Sequence, residues 1–413
     1  MPLCRAIISH SSLGWSRWLT VAIALLLARG TLCAAASAFS HPAARPPALE
    51  IRLLPVSDPD GDASVTVHVA SAGVYRSFEG TISTLEQGLF DDAQDGRLDK
   101  HTLFEAALIA GGERSPADLD RYRARMAAWV GKFRKSAASD SDSPREQVRR
   151  LFEFLHARVF HGGYRIDATD LAATLDEGRY NCVSATVLFL SIAPEALPRV
   201  EACALEVPGH AMIRVRLSDG VCDVESTCAE WFQLTNDPAK RAALVRKAMR
   251  GAQPDSDKPV VSREVSPVEL VAMIYYNRGV DLLGQKRFDE AMSANAKSLR
   301  LAPGNATARG NLLATINNGA IALGAEGEFR AAAKLLQKGL AVDPSYAAFH
   351  ANLLHVYRRW LETSLAGDRW IEAVNVATTA RQILQQPGVW RDVEANLVQR
   401  RIRELLDASP RNP

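Results

Sequence analysis

Three residues, in the order Cys, His, acid, have the types and the setting that covalent chemistry needs. Cys182 opens the run Asn181-Cys-Val-Ser-Ala-Thr-Val-Leu-Phe-Leu-Ser-Ile192, which reads as a buried helix. A cysteine attacks as its thiolate, and the positive end of a helix favours that form. The thiolate also needs a base, normally histidine, and the histidine needs an acceptor that fixes its tautomer. His210 opens a predicted strand 28 residues on, and the next strand carries Asp223 and Glu225. The spacing predicts Cys182 as nucleophile, His210 as base and one of the two acids as its orienting partner.

Asp223 and Glu225 are two apart, so on a strand both project to one face and parity does not separate them. Register gives a preference. A partner directly opposite His210 requires a turn midway between the two, and the Ser218-Asp219-Gly220 turn lies closer to the midpoint for Glu225. Glu225 is the expected acid and Asp223 the alternative.

Other chemistries find less support. Cys203, Cys222 and Cys228 form no C-x-x-C pair, which argues against a structural zinc. They read as core or disulfide residues, and spacing assigns no pairing among them. Ser184 and Ser191 lack a Gly-x-Ser-x-Gly context, and no Gly-rich phosphate cradle occurs. The run Asp58-Pro-Asp-Gly-Asp62 lacks the rest of a calcium loop. No metal and no cofactor is expected.

The elements that must hold these residues follow from hydrophobic spacing. Residues 81–135 read as helices. Leu103, Ala106, Ala107 and Ile109 make one apolar stripe, and Leu119, Tyr122, Met126 and Val130 another, in a helix begun by Pro116. Residues 135–143 are a polar loop. Pro144 then starts a helix carrying Val148, Leu151, Phe152, Leu155 and Val159. Residues 199–207, 211–217 and 221–227 read as strands. Residues 39–77 mix Pro-rich and Asp/Gly-rich pieces with an alternating stretch at 63–69, which predicts a linker or short β segment.

Beyond a Pro/Asp/Ser linker at 251–264 the chain is helical and repeats. Phe288, Phe329 and Trp370 are 41 residues apart, as are Ala291, Ala332 and Ala373, Pro303 and Pro344, and Asn311 and Asn352. Self-similarity at one period marks stacked helix pairs, each too small to bury its own face. The first unit resembles a tetratricopeptide repeat, with Gly279, Leu282, Ala291 and Pro303 at that family's positions. Its period exceeds the usual ~34 residues, which predicts lengthened first helices.

The 413 residues carry a formal net charge of +2, so there is no electrostatic case for nucleic acid. Arg5 and Arg17, the apolar run at 18–28 and Ala36-Ser37-Ala38 predict an export signal over 1–38. The apolar run is shorter than the ~20 residues of a spanning helix. The expected product is exported, periplasmic or extracellular, with no membrane span in the mature chain. The alternative is an uncleaved N-terminal anchor.

The order of Cys on a helix, then His and acid on neighbouring strands, resembles the transglutaminase-like branch of the papain superfamily. Gly178-Arg-Tyr-Asn-Cys182 is similar to that family's Gly-x-Cys approach, with two extra residues. Gly209-His210-Ala-Met-Ile-Arg-Val215 resembles its His strand. Val224-Glu225-Ser-Thr227 resembles its hydrophobic-Asp-x-Thr motif, with Glu for Asp. Residues 103–134 are similar to the lead-in of the bacterial subgroup that also carries tetratricopeptide repeats. The resemblance implies an α+β transglutaminase-like, papain-type domain over 78–250 and an all-α tetratricopeptide-like domain over 265–413. It implies acyl transfer from a protein or peptide substrate, or a carboxamide, to water or to an amine, with a protein partner held by the repeats. A second reading keeps both folds but makes the Cys-His domain a degenerate scaffold, with the repeats carrying protein binding in the cell envelope.

Overall fold

The computed structural model describes residues 72–113, 115–136, 143–218, 220–234, 238–248, 262–384 and 387–408. The expected export signal, the alternating stretch at 63–69 and most of the linkers at 135–143 and 251–264 lie outside these residues.

Side-chain caps start the first helices. Helix α1 (Ala72–Arg76) is followed by α2 (Thr84–Asp92) and α3 (Leu103–Gly111). Ser83 with Glu86, and Thr102 with Glu105, form reciprocal capping boxes at α2 and α3. In each, the hydroxyl accepts one orphan N–H and the carboxylate accepts another. Next come α4 (Pro116–Ser136) and α5 (Pro144–Arg158), the latter capped by Ser143 with Pro144 in its first turn.

Strand β1 (Gly163–Tyr164) pairs in parallel with β2 (Arg179–Tyr180) across helix α6 (Leu171–Glu177). Gly178 ends α6 with φ +70°, and a Cβ there would lie 2.6 Å from the Val159 carbonyl oxygen and 2.7 Å from the Gly162 nitrogen. Glycine meets both demands, the left-handed backbone and the close approach. It fixes the path of the chain into α7 (Cys182–Ala196).

Strands β3 (Glu201–Val207), β4 (His210–Leu217) and β5 (Gly220–Val224), helix α8 (Pro238–Ala248) and strand β6 (Arg263–Val265) follow in sequence. The four strands form one antiparallel sheet in the order β5-β4-β3-β6. Helix α7 lies on β3 and β4, and helices pack on its other side. Two expectations change here. The third strand ends at Val224, so Glu225 stands just beyond it. Residues 263–265, which straddle the expected end of the linker at 264, are the edge strand against β3.

The rest of the chain is helical: α9 (Pro267–Gly284), α10 (Phe288–Leu301), α11 (Ala306–Ala325), α12 (Phe329–Val342), α13 (Ala347–Ala366), α14 (Trp370–Ile383) and α15 (Pro387–Ala408). Each packs on the next. The 41-residue period appears as three 14-residue helices, α10, α12 and α14, alternating with the 20-residue α11 and α13. Ala291, Ala332 and Ala373 are fully buried at the same place in each short helix. The turn before each short helix puts one residue in the left-handed region: Lys286 at φ 61°, Gly327 at 85° and Asp368 at 55°.

Two hydrophobic cores result. The first joins α3, α4, α5 and α7 to the sheet and also takes Val268, Leu270, Val271, Ile274 and Tyr275 of α9. Because α3 packs against α2, α7 and α9, residues 104–110 are buried all round rather than along one stripe. The second core runs through the later helices and takes Tyr75 of α1 and Phe78. The end of the segment expected as a linker or β piece is therefore a helix seated on the array. Lys297 of α10 and Glu86 of α2 form a buried ion pair at 2.9 Å. Lys297 also donates to the Thr81 carbonyl at 3.0 Å, and the Tyr275 hydroxyl donates to Glu86 at 3.3 Å. One carboxylate thus caps α2 and ties it to the array.

Candidate active site

The site begins with the cap of α7. Asn181 Oδ1 accepts from the Val183 and Ser184 N–H groups at 2.9 and 3.0 Å, and Ser184 Oγ accepts from the Asn181 N–H at 3.0 Å. The Asn181 amide donates to the Ile166 carbonyl at 3.1 Å and to Thr169 Oγ1 at 2.5 Å. Ser184 Oγ donates to the Ala168 carbonyl at 2.8 Å. The loop at 166–169 is therefore fastened to the helix start. Tyr180 stacks on Phe160 with ring centroids 4.3 Å apart. Tyr180 and Asn181, just ahead of the cysteine, thus both have structural work. Cys182 then occupies the first helical position, partly exposed.

His210 and Glu225 meet behind it. His210 Nε2 lies 2.5 Å from Glu225 Oε2, and the two residues are only 7% and 1% exposed. Glu225 Oε1 accepts from the Thr227 N–H at 2.8 Å and from its hydroxyl at 2.6 Å. Both carboxylate oxygens are thus engaged. Nε2 faces the acid, which leaves Nδ1 as the ring nitrogen for Cys182, to which His210 is also hydrogen-bonded.

Asp223 takes a different partner. It sits directly opposite Arg214 and pairs with it through two contacts of 2.8 Å. Continuing that register puts Thr227 opposite His210, so Glu225 reaches the imidazole on a diagonal. Its extra methylene makes that reach possible.

The electrostatics are those of an ion pair. Burial pushes the Cys182 thiol up, but the His210 charge, its hydrogen bond and the Ala211 N–H outweigh burial, and the pKa falls below the ordinary thiol value. Burial acts to lower His210, but Glu225 and Cys182 hold it well above the ordinary imidazole value. Burial acts to raise Glu225, but His210 and Thr227 hold it below the usual carboxylate range. By contrast, burial raises the thiols of Cys203 and Cys222. All four cysteines from Cys182 onward are free, with none of the pairing left open for Cys203, Cys222 and Cys228.

Nearby, His156 Nε2 donates to the Ser226 carbonyl at 3.1 Å, and burial pushes its pKa down to about 4. It is a neutral prop for the Glu225 segment. Among the described residues, no group of three or more His, Cys, Asp or Glu could hold a metal ion. No described helix is long and apolar enough to cross a membrane.

A second feature lies on the array. A groove of about 1370 Å³ is lined by Arg330, Trp360, Trp370, Ile371 and Arg401, among others. Ile371 is 83% exposed within it.

Asn181 and Thr227 have roles that sequence reasoning did not assign, and Tyr276 a place near the thiol that it did not foresee. An Asn just before a helix is a cap signal, and Thr227 lies inside the quoted acid motif. Tyr276 of α9 lies within electrostatic range of Cys182, and no local pattern marks it. Compared with protein-family models, curated proteins and solved structures, the chain matches none.

Proposed function

We propose that this chain is an exported, transglutaminase-like thiol enzyme that transfers acyl groups from a protein or peptide substrate, with a tetratricopeptide-like array that binds a protein partner. The observation that carries the reading is the 2.5 Å His210–Glu225 contact behind a cysteine whose thiolate is favoured despite burial. Cys182 attacks a carboxamide or peptide carbonyl. His210, held as imidazolium by Glu225, gives its proton to the leaving amine. The acyl-enzyme then passes to water or to an amine.

The array groove supports the partner assignment. Its basic residues Arg330, Lys334, Arg369 and Arg401 outnumber Asp368 and Glu372, and its aromatic rings offer apolar contact.

The test is alkylation of Cys182 by iodoacetamide across pH, in the wild type and in His210→Ala, read at that cysteine by mass spectrometry. The wild type is expected to react fast near pH ~6, and the variant to lose that reactivity. An ordinary thiol profile near pH ~8.5 in both proteins would sink the enzyme reading and leave the scaffold one.

A further inference from the structure

Helix α9 opens the array, yet much of it lies in the first core. It packs on α7, and its Tyr276 lies within electrostatic range of the Cys182 thiol. Tyr276 is half-buried, packs against both cores and lies among Cys182, Glu206 and Arg263. Glu206 stands opposite Ala211, the residue after His210, and pairs with Arg263 at 2.6 Å. Tyr276 therefore lies near the corner where the start of α7 meets the β3–β4 turn. Burial, with the charges of Glu206 and Cys182, raises its pKa, so the phenol stays protonated. It is an O–H donor at neutral pH.

Attack by Cys182 on a carbonyl places negative charge on the carbonyl oxygen, and preorganised donors must meet it. The Cys182 N–H is one, because no intrahelical carbonyl reaches the first N–H groups of a helix. The neighbouring donors have other work. The Asn181 amide is committed to Ile166 and Thr169, and His156 to Ser226. We propose that Tyr276 donates its O–H to this oxyanion, so that the first helix of the array completes the active site.

This inference rests on the acyl-transfer reading of Cys182. The sulfur bonds to the carbonyl carbon, and the C=O π pair moves onto oxygen. That oxygen accepts from the Cys182 N–H and the Tyr276 O–H. Collapse restores the carbonyl and expels the leaving group, an amine that takes its proton from His210. Tyr276 keeps its proton throughout.

Two reagents isolate the role. p-Nitrophenyl acetate acylates a thiolate through an oxyanion and releases nitrophenolate. Iodoacetamide loses iodide from its CH2 carbon and forms none. Both are applied to the full chain, with the Cys182→Ala background subtracted. Tyr276→Phe is expected to slow nitrophenolate release by about 10- to 100-fold and to leave the alkylation rate and its pH profile unchanged. Equal slowing of both reactions overturns the proposal, because the ring would then be supporting the thiolate or the fold. So does full ester reactivity in a variant whose alkylation profile keeps the low-pH shift, and the acyl-transfer reading survives that result. A wild-type Cys182 with an ordinary thiol profile overturns both.

Discussion

The helical array and the Cys-His half bury helices of similar length by different means. In the array one solution recurs every 41 residues: a 14-residue helix, a fully buried alanine and a left-handed residue in the preceding turn. Each helix meets its neighbours in sequence. In the other half the capping box recurs at helix starts, but the packing contacts follow no period. Cys182, His210 and Glu225 come from a helix start, a strand start and the segment after a third strand, and the Lys297–Glu86 pair ties this half to the array across 211 residues. A repeated unit tolerates local change because its neighbours offer the same contact again. A contact made once has no substitute.

The variant that tests this contrast hardest is Lys297→Met. It takes the cation away from the buried Glu86 carboxylate and is expected to cost about 3–5 kcal/mol in urea unfolding. Adding Glu86→Leu should recover much of that loss; an additive double variant would show that the two side chains do not act as a pair.

Glu225→Gln comes next. It removes the charge that holds His210 up, and alkylation of Cys182 at pH ~6 should fall about tenfold or more. The pH dependence of stability follows from the same pair. Glu225 is lowered on folding, so its contribution is present above the ordinary carboxylate pKa and lost as pH falls through its depressed value. His210 is raised, so its contribution is present below the ordinary imidazole pKa and lost as pH rises through its elevated value. Wild type minus the Glu225→Gln variant should therefore show a stability plateau between those limits.

Gly327→Ala is smaller. It forces a Cβ into φ 85° and should cost about 1–2 kcal/mol. Lys286→Gly, at the matching turn of the preceding unit, should be the smallest change, a gain of less than ~1 kcal/mol. Opposite signs at equivalent positions would confirm that the turns share one backbone demand. A loss at both would mean that the Lys286 side chain matters more than its φ.

The array was legible because its contacts are local. Phe288, Phe329 and Trp370, which carry the 41-residue spacing, prove to be the first residues of the three short helices. The helix begun by Cys182 and the two following strands were readable from apolar runs and the intervening turn. What spacing could not give was the diagonal. Register assumes a partner directly opposite, but β5 stops at Val224 and Thr227 draws the Glu225 carboxylate onto His210. Residues 263–264 fell in a stretch read as linker, and α1 in one read as linker or short β segment, because neither has enough apolar pattern of its own. Each is ordered by a surface distant in sequence, β3 for one and the array for the other.

Helix α9 also bears on how the protein is made. Synthesis runs from the N-terminus, so Cys182, His210 and Glu225 all emerge before the residues that close their core. Val268, Leu270, Val271 and Ile274 come later, and until they arrive the sides of α3 and α7 that face α9 have no cover. The thiol is therefore built early and framed late. A chain halted before Pro267 would carry every member of the Cys-His-Glu set but not the helix that seals the core beneath it.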